Sequence, residues 1–196
     1  DDTKRMLREM LKTNNKLTLP VSGTGTAAME SCFVNLIEES DKILIIENGY
    51  FGSRMINICE RLKANVDVLN FEWGKPLIID TLKTKLESNR YKLVAAVHAE
   101  TSTGVRNPVE QVKQYLDDET IFIVDAVTSF GTIELDVDKW GIDAVYSCSQ
   151  KGLSCPPGAS PVSFSAKAED KISSLRSPVP NFYLDMKQII QYLGGT

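Results

Sequence analysis

Ile121-Phe122-Ile123-Val124-Asp125 is the stretch that decides the fold. Side chains alternate between the two faces of an extended segment. Four apolar residues in a row therefore bury both faces, as in a parallel sheet sandwiched between helices. Runs of the same kind recur on either side. Ile43-Leu44-Ile45-Ile46, residues 66–71, 92–97 and 143–147 read as strands, as do Leu17-Thr18-Leu19-Pro20-Val21 and Pro161-Val162-Ser163-Phe164, with Pro20 a weak point in the first. Helical spacing fills the gaps between them. Met6, Leu7, Met10 and Leu11 predict a helix over 3–14, and a second helix carries Met29, Phe33, Val34, Leu36 and Ile37. Further helices are predicted over 51–63, 79–88, 107–117, 166–175 and 182–193, with a short amphipathic segment from Val137 to Trp140. The alternation predicts an α/β fold, a mainly parallel sheet with helices on both faces. With no repeat, low-complexity tract or linker, residues 1–196 read as a single large domain.

Composition narrows the function. Apolar residues make up 42% and charged residues 24%, as in an ordinary globular protein, and the net charge of −4 comes without a basic block, so no nucleic-acid partner is expected. No apolar run reaches the ~20 residues that span a bilayer, so no membrane partner is expected either. Cys32, Cys59, Cys148 and Cys155 are scattered without a CxxC pair, and His98 is the single histidine. Metal ligation and histidine-based hydrolysis are disfavoured, and the cysteines read as reduced and mostly buried. An intracellular, cytoplasmic setting is the default expectation. Asp1-Asp2-Thr3-Lys4-Arg5 and Gly194-Gly195-Thr196 both read as cut ends, which leaves peroxisomal or mitochondrial targeting open.

In open α/β sheets ligands sit beyond the carboxyl ends of the strands. Five polar or glycine-bearing clusters are predicted there: 22–26, 47–52, 98–104, 125–130 and 147–152. In the last, a strand end delivers Lys151 into a Ser149-Gln150-Lys151-Gly152 turn, where its amine can reach a carbonyl and form a Schiff base. Asp125 ends another buried strand. An amine for an aldehyde and an anion for a ring nitrogen are what pyridoxal phosphate needs. A carboxylate at such a position must be paired or hydrogen-bonded. Val127 would form an apolar floor to the same ring.

The other clusters each carry two readings. Thr24-Gly25-Thr26 opens a helix whose free N–H groups suit a phosphate, and it equally suits an ordinary helix cap. Phe51, between Gly49 and Gly52, can lie on a cofactor ring or anchor a loop. The hydroxyls of His98-Ala99-Glu100-Thr101-Ser102-Thr103-Gly104 can donate to a phenolic oxygen or simply cap a turn. Gly23-x-Gly25-x-x-Ala28, with Glu47 at the next strand end, also matches a dinucleotide fingerprint and would make an NAD-dependent oxidoreductase. That alternative gives no reason for Asp125 and Lys151 to share an edge.

Taken together, Ser22-Gly23-Thr24-Gly25-Thr26-Ala27-Ala28-Met29-Glu30, Asn48-Gly49-Tyr50-Phe51-Gly52, His98 to Val105, Val124-Asp125-Ala126-Val127-Thr128-Ser129, Ser147-Cys148-Ser149-Gln150-Lys151-Gly152-Leu153, Pro156-Pro157-Gly158 and Asn181-Phe182-Tyr183-Leu184-Asp185 resemble the class V aminotransferases of fold type I. The alanine–glyoxylate / serine–pyruvate branch is the most similar. The resemblance implies a homodimeric enzyme that uses pyridoxal 5′-phosphate to move an amino group from an amino acid to a small 2-oxo acid such as glyoxylate or pyruvate. It implies that Lys151 is the Schiff-base lysine and Asp125 the partner of the pyridine nitrogen. Thr24, Gly25, Thr26 and Gln150 would hold the phosphate, and Thr101 would reach the ring hydroxyl. Phe51 stands at the stacking position, where this branch often carries tryptophan. No metal is implied. Family members run to roughly twice this length, so the chain is expected to be the cofactor-binding large domain without its N-terminal arm and small C-terminal domain. A catalytically silent fragment is the remaining alternative.

Overall fold

The computed structural model describes residues 2–194. Asp1, Gly195 and Thr196, which belong to the ends read as cut, lie outside them. The elements follow as α1 (Asp2–Leu11), β1 (Leu17–Gly23), α2 (Gly25–Leu36), β2 (Lys42–Glu47), α3 (Tyr50–Arg61), β3 (Asn65–Asn70), α4 (Ile79–Glu87), β4 (Leu93–Val97), a small hairpin of β5 (Ala99–Glu100) and β6 (Val105–Arg106), β7 (Ile121–Asp125), β8 (Ala144–Tyr146), β9 (Gly158–Phe164), α5 (Ala166–Ser174) and α6 (Met186–Gly194).

Seven strands form one sheet in the order β1-β9-β8-β7-β4-β2-β3. The five from β8 to β3 are parallel, and β9 runs antiparallel to both β8 and β1. β1 thus points the same way as the parallel strands, so all five polar clusters leave one edge. Pro20 is accommodated because β1 is the outermost strand, facing Pro161 of β9.

The apolar runs bury both faces, as their composition requires. Ile43, Ile45, Ile123 and Tyr146 face α2 and α3, in a core with Met29, Phe33 and Met55. Leu44, Ile46, Phe122 and Val124 face the other way, against Leu7 and Leu11 of α1, Leu82 of α4, Val112 and Trp140. Phe122 is fully buried, and truncating such a ring to alanine typically costs about 3–5 kcal/mol.

Two predicted helices differ. Residues 107–117 form two 3₁₀ turns, Val109–Gln111 and Lys113–Tyr115, in place of one α-helix. The buried pair Val109 and Val112 is spaced by three, which suits three residues per turn. Residues 182–193 split at Asp185, which is extended at φ −68°, ψ 105° between a 3₁₀ turn and α6. Its Oδ1 accepts from the backbone N–H of Lys187 at 2.8 Å and so opens the new helix. The Val137–Trp140 segment is a turn.

Candidate active site

α2 begins directly at the end of β1. Thr24 is its N-cap in backbone terms, at φ −98° and ψ 176°, but its hydroxyl caps nothing. The first-turn N–H groups of a helix have no intrahelical partner and carry partial positive charge. The Ala27 N–H is taken by the Thr24 carbonyl at 2.8 Å, which leaves those of Gly25 and Thr26 for something else. A Cβ on Gly25 would be a tight fit, 3.1 Å from Val127 Cγ2 and 3.4 Å from Cys148 Cβ. The helix start is thereby pressed onto the segments that follow β7 and β8.

The result is a cleft of about 200 Å³ walled by Thr24, Gly25, Thr26, Phe51, Val127, Gln150 and Lys151, together with Met29, Arg54 and Cys148. Seven residues singled out in the sequence thus share one cavity. Lys151 is exposed, in a turn between β8 and β9. Gly152 lets that turn lie backbone to backbone on its neighbour, since a Cβ there would come within 2.2 Å of the Phe130 carbonyl oxygen. Phe51 is half-buried at the start of α3, edge-on to Tyr50 with ring centres 5.6 Å apart.

Asp125 ends β7, opposite Tyr146 of β8. Alternation along β7 places it with Ile123 on the face toward α2, where its charge is felt by the buried Cys32 thiol. It is 2% exposed. Its Oδ1 accepts from the backbone N–H of Val127 at 2.8 Å, while Oδ2 has no hydrogen-bond partner. Burial, with the Glu100 charge, pushes its pKa up from 3.8 to about 7 against the lowering effects of the Val127 N–H and Arg54, and the Tyr146 hydroxyl, itself unpaired, lies close by without a hydrogen bond to it. One carboxylate oxygen is thus left without a donor. Val127 joins the two halves of the site: it holds Asp125 and walls the cleft with Lys151.

Thr101 stands apart. It is exposed, lies outside the cleft wall, and its hydroxyl is hydrogen-bonded to that of Thr128. Glu100, from the same segment, takes a role that sequence reasoning missed. Oε2 accepts from the backbone N–H of Phe51 at 3.2 Å and Gly52 at 3.3 Å, and Oε1 from the Ser102 hydroxyl at 2.7 Å. The carboxylate caps α3 from a distant part of the chain and fixes the start of the helix that carries Phe51. Gly49 is what lets it approach, because a Cβ there would lie 2.3 Å from Glu100 Cγ.

Arg54 was also missed. It is i+3 from Phe51, on the same side of α3. Its Nη1 donates to Thr26 Oγ1 at 2.7 Å, and its guanidinium lies over the Phe51 ring at 4.8 Å. Glu47, the candidate ribose ligand of the dinucleotide reading, is committed elsewhere. Its Oε1 accepts from the Ser53 hydroxyl and the Trp73 indole N–H, both at 2.9 Å.

His98 lies behind β4, fully buried, edge-on to Trp140 at 5.3 Å, with neither ring nitrogen hydrogen-bonded. Burial lowers its pKa to about 4, so it stays neutral at physiological pH. All four cysteines are free thiols, and only Cys155 is exposed. Among the described residues there is no cluster of metal-ligating side chains and no helix long and apolar enough to cross a membrane.

Known proteins resemble this chain in sequence and fold over nearly its whole length. Residues 1–178 match the family described as aminotransferase class-V. A (S)-ureidoglycine–glyoxylate transaminase of Bacillus subtilis is 33% identical over 98% of this chain and 51% of its own length. An alanine–glyoxylate aminotransferase of Callithrix jacchus is 35% identical over 99% of this chain and 47% of its own. The crystal structure of an alanine–glyoxylate aminotransferase from Nostoc sp. superimposes with a TM-score of 0.93 at 44% identity, covering 98% of this chain and 51% of that one. The chain thus spans about half the length of the relatives it matches.

Proposed function

Because the chain belongs to the class V aminotransferase family, we propose that it is the cofactor-binding large domain of a pyridoxal-phosphate-dependent aminotransferase. The proposed reaction moves an amino group from an alanine- or serine-type amino acid to a small 2-oxo acid such as glyoxylate or pyruvate. The observation that carries this reading is the convergence of Lys151, Gln150, Phe51 and the Thr24-Gly25-Thr26 helix start on one cleft, with a buried, half-satisfied Asp125 behind Val127.

The residues fit the group. Thr24 offers a hydroxyl that caps nothing, beside the free N–H groups at the start of α2. Asp125 Oδ2 lacks the one donor that a protonated ring nitrogen would supply. The cofactor, when bound, supplies an electron sink for the charge left on the substrate α-carbon.

This chain's residues do the rest. Lys151 Nζ would anchor the cofactor covalently and, once displaced by substrate, would take the proton from the α-carbon and return it. Asp125, ionised by pairing with the ring cation, would keep the ring nitrogen protonated. Thr24, Gly25, Thr26 and Gln150 would fix the phosphate, and Phe51 and Val127 would bracket the ring. Thr101 would donate to the ring hydroxyl's oxygen while accepting from Thr128. A homodimer is part of the proposal, as the resemblance to the family implies.

An amino-transfer assay with alanine or serine as donor and glyoxylate or pyruvate as acceptor tests the reading. Turnover that disappears with Lys151→Ala supports it. Turnover undiminished in that variant refutes it.

A further inference from the structure

The residues expected to hold the phosphate share a deficiency. Thr24, Thr26 and Gln150 offer neutral donors and Gly25 only its backbone. A phosphate monoester carries −1.5 to −2 charges near neutral pH, more than the roughly +0.5 charge of a helix start balances, so a full counter-charge in the cleft would strengthen its binding. Lys151 cannot be that charge if its amine is bonded to the cofactor. Arg54 is the other cation on the cleft wall.

Some arginines of the chain are neutralised and others, Arg61 with Asn57 among them, meet only neutral partners. Arg5, Arg90 and Arg106 each pair with a carboxylate. Arg54 forms no ion pair among the described residues. It is held instead by two neutral groups, the Thr26 hydroxyl at 2.7 Å and the Phe51 ring at 4.8 Å, with Tyr50 at 5.2 Å. A guanidinium has five N–H donors, so the bond to Thr26 leaves others for an anion. Half-buried and anchored at both ends, it loses little freedom on meeting a ligand.

Resting on the cofactor reading above, we propose that Arg54 is the cation that binds the cofactor's phosphate dianion, and that Thr26 and Phe51 hold it in place to do so. Thr26 then has two tasks, donating its own proton toward the phosphate and accepting from the guanidinium. Phe51 likewise serves on two sides, packing on the ring of the cofactor and carrying the cation.

The test compares pyridoxal phosphate with pyridoxal, which lacks the phosphate, by titrating wild type, Arg54→Met and Arg54→Lys and following absorbance. Arg54→Met should weaken pyridoxal phosphate about 10- to 100-fold, the range of a lost charge-assisted contact, and change pyridoxal by less than about twofold. Inorganic phosphate should compete with the cofactor in wild type and lose that ability in Arg54→Met. Arg54→Lys keeps the charge but not the fork, and should fall between the two. Equal binding of pyridoxal phosphate by wild type and Arg54→Met would overturn the proposal. So would a parallel loss for both ligands, which would make Arg54 a support for Phe51, or a lysine variant as weak as the methionine one. If wild type instead binds neither ligand at Lys151, the cofactor reading fails and the proposal with it. If wild type binds at Lys151 and Arg54→Met binds equally well, only the role of Arg54 fails.

Discussion

Replacing Asp125 by asparagine should stabilise the cofactor-free protein at neutral pH. In the folded chain burial moves this carboxyl from 3.8 to about 7, so the folded state holds a proton that the unfolded state has released. Stability therefore falls as pH rises from about 4 to about 7. At ~1.4 kcal/mol per pH unit, the full effect has a ceiling of about 4 kcal/mol. Asparagine keeps the oxygen that accepts from Val127 and never ionises. Its buried amide costs about 1–2 kcal/mol at every pH, which leaves a net gain of roughly 2 kcal/mol above pH 7 and a net loss of about 1–2 kcal/mol near pH 4. The assay is urea unfolding of both proteins from pH 4 to 8, read as the difference between them, so that all shared titrations cancel. A difference that grows with pH is expected. A constant difference would refute the idea that Asp125 is held near neutrality by burial. Added pyridoxal phosphate should reverse the order, because a ring cation opposite Oδ2 favours the carboxylate and offers nothing to the amide.

Other perturbations reach other parts of the structure. Lys151→Ala should abolish amino transfer while leaving the unfolding midpoint within about 0.5 kcal/mol, since the side chain is exposed; near-normal turnover would contradict its role. His98 gives the opposite pH limb: its pKa falls from 6.5 to about 4, so stability is full above pH 6.5 and declines toward pH 4, by at most about 3 kcal/mol. His98→Phe keeps the packing on Trp140 and should flatten that limb in urea titrations; an unchanged acid slope would count against it. Gly152→Ala should lower stability by about 2 kcal/mol or more and reduce cofactor retention, because the new methyl meets the Phe130 carbonyl; a silent variant would show that the lysine turn is not held there.

The layers of the fold were legible because runs such as Ile43–Ile46 and Ile121–Val124 can be satisfied only by burial on both faces. The direction of β9 was not, since an apolar strand reads the same both ways and only its partners fix its sense. The helix expected over 107–117 is instead two 3₁₀ turns, and a spacing of three such as Val109 to Val112 fits one turn of either kind. In the site, Thr24, Gly25, Thr26, Gln150 and Lys151 could be found because each stands at a strand end, where topology alone brings residues together. Arg54 and Glu100 could not be found that way. Their roles depend on how α3 is seated against the loop after β4. The i, i+3 spacing of Phe51 and Arg54 was a signal for the first of these. A glutamate amid Thr101, Ser102 and Thr103 gave no comparable sign for the second.

Reductive trapping addresses the covalent role of Lys151 most directly. The protein is incubated with pyridoxal phosphate, treated with borohydride, digested and mapped by mass spectrometry. A reduced pyridoxyl group on Lys151, and on no other lysine at stoichiometric labelling, is the expected result. Labelling spread over surface lysines, or a map in which the Lys151 peptide is unmodified, would contradict it.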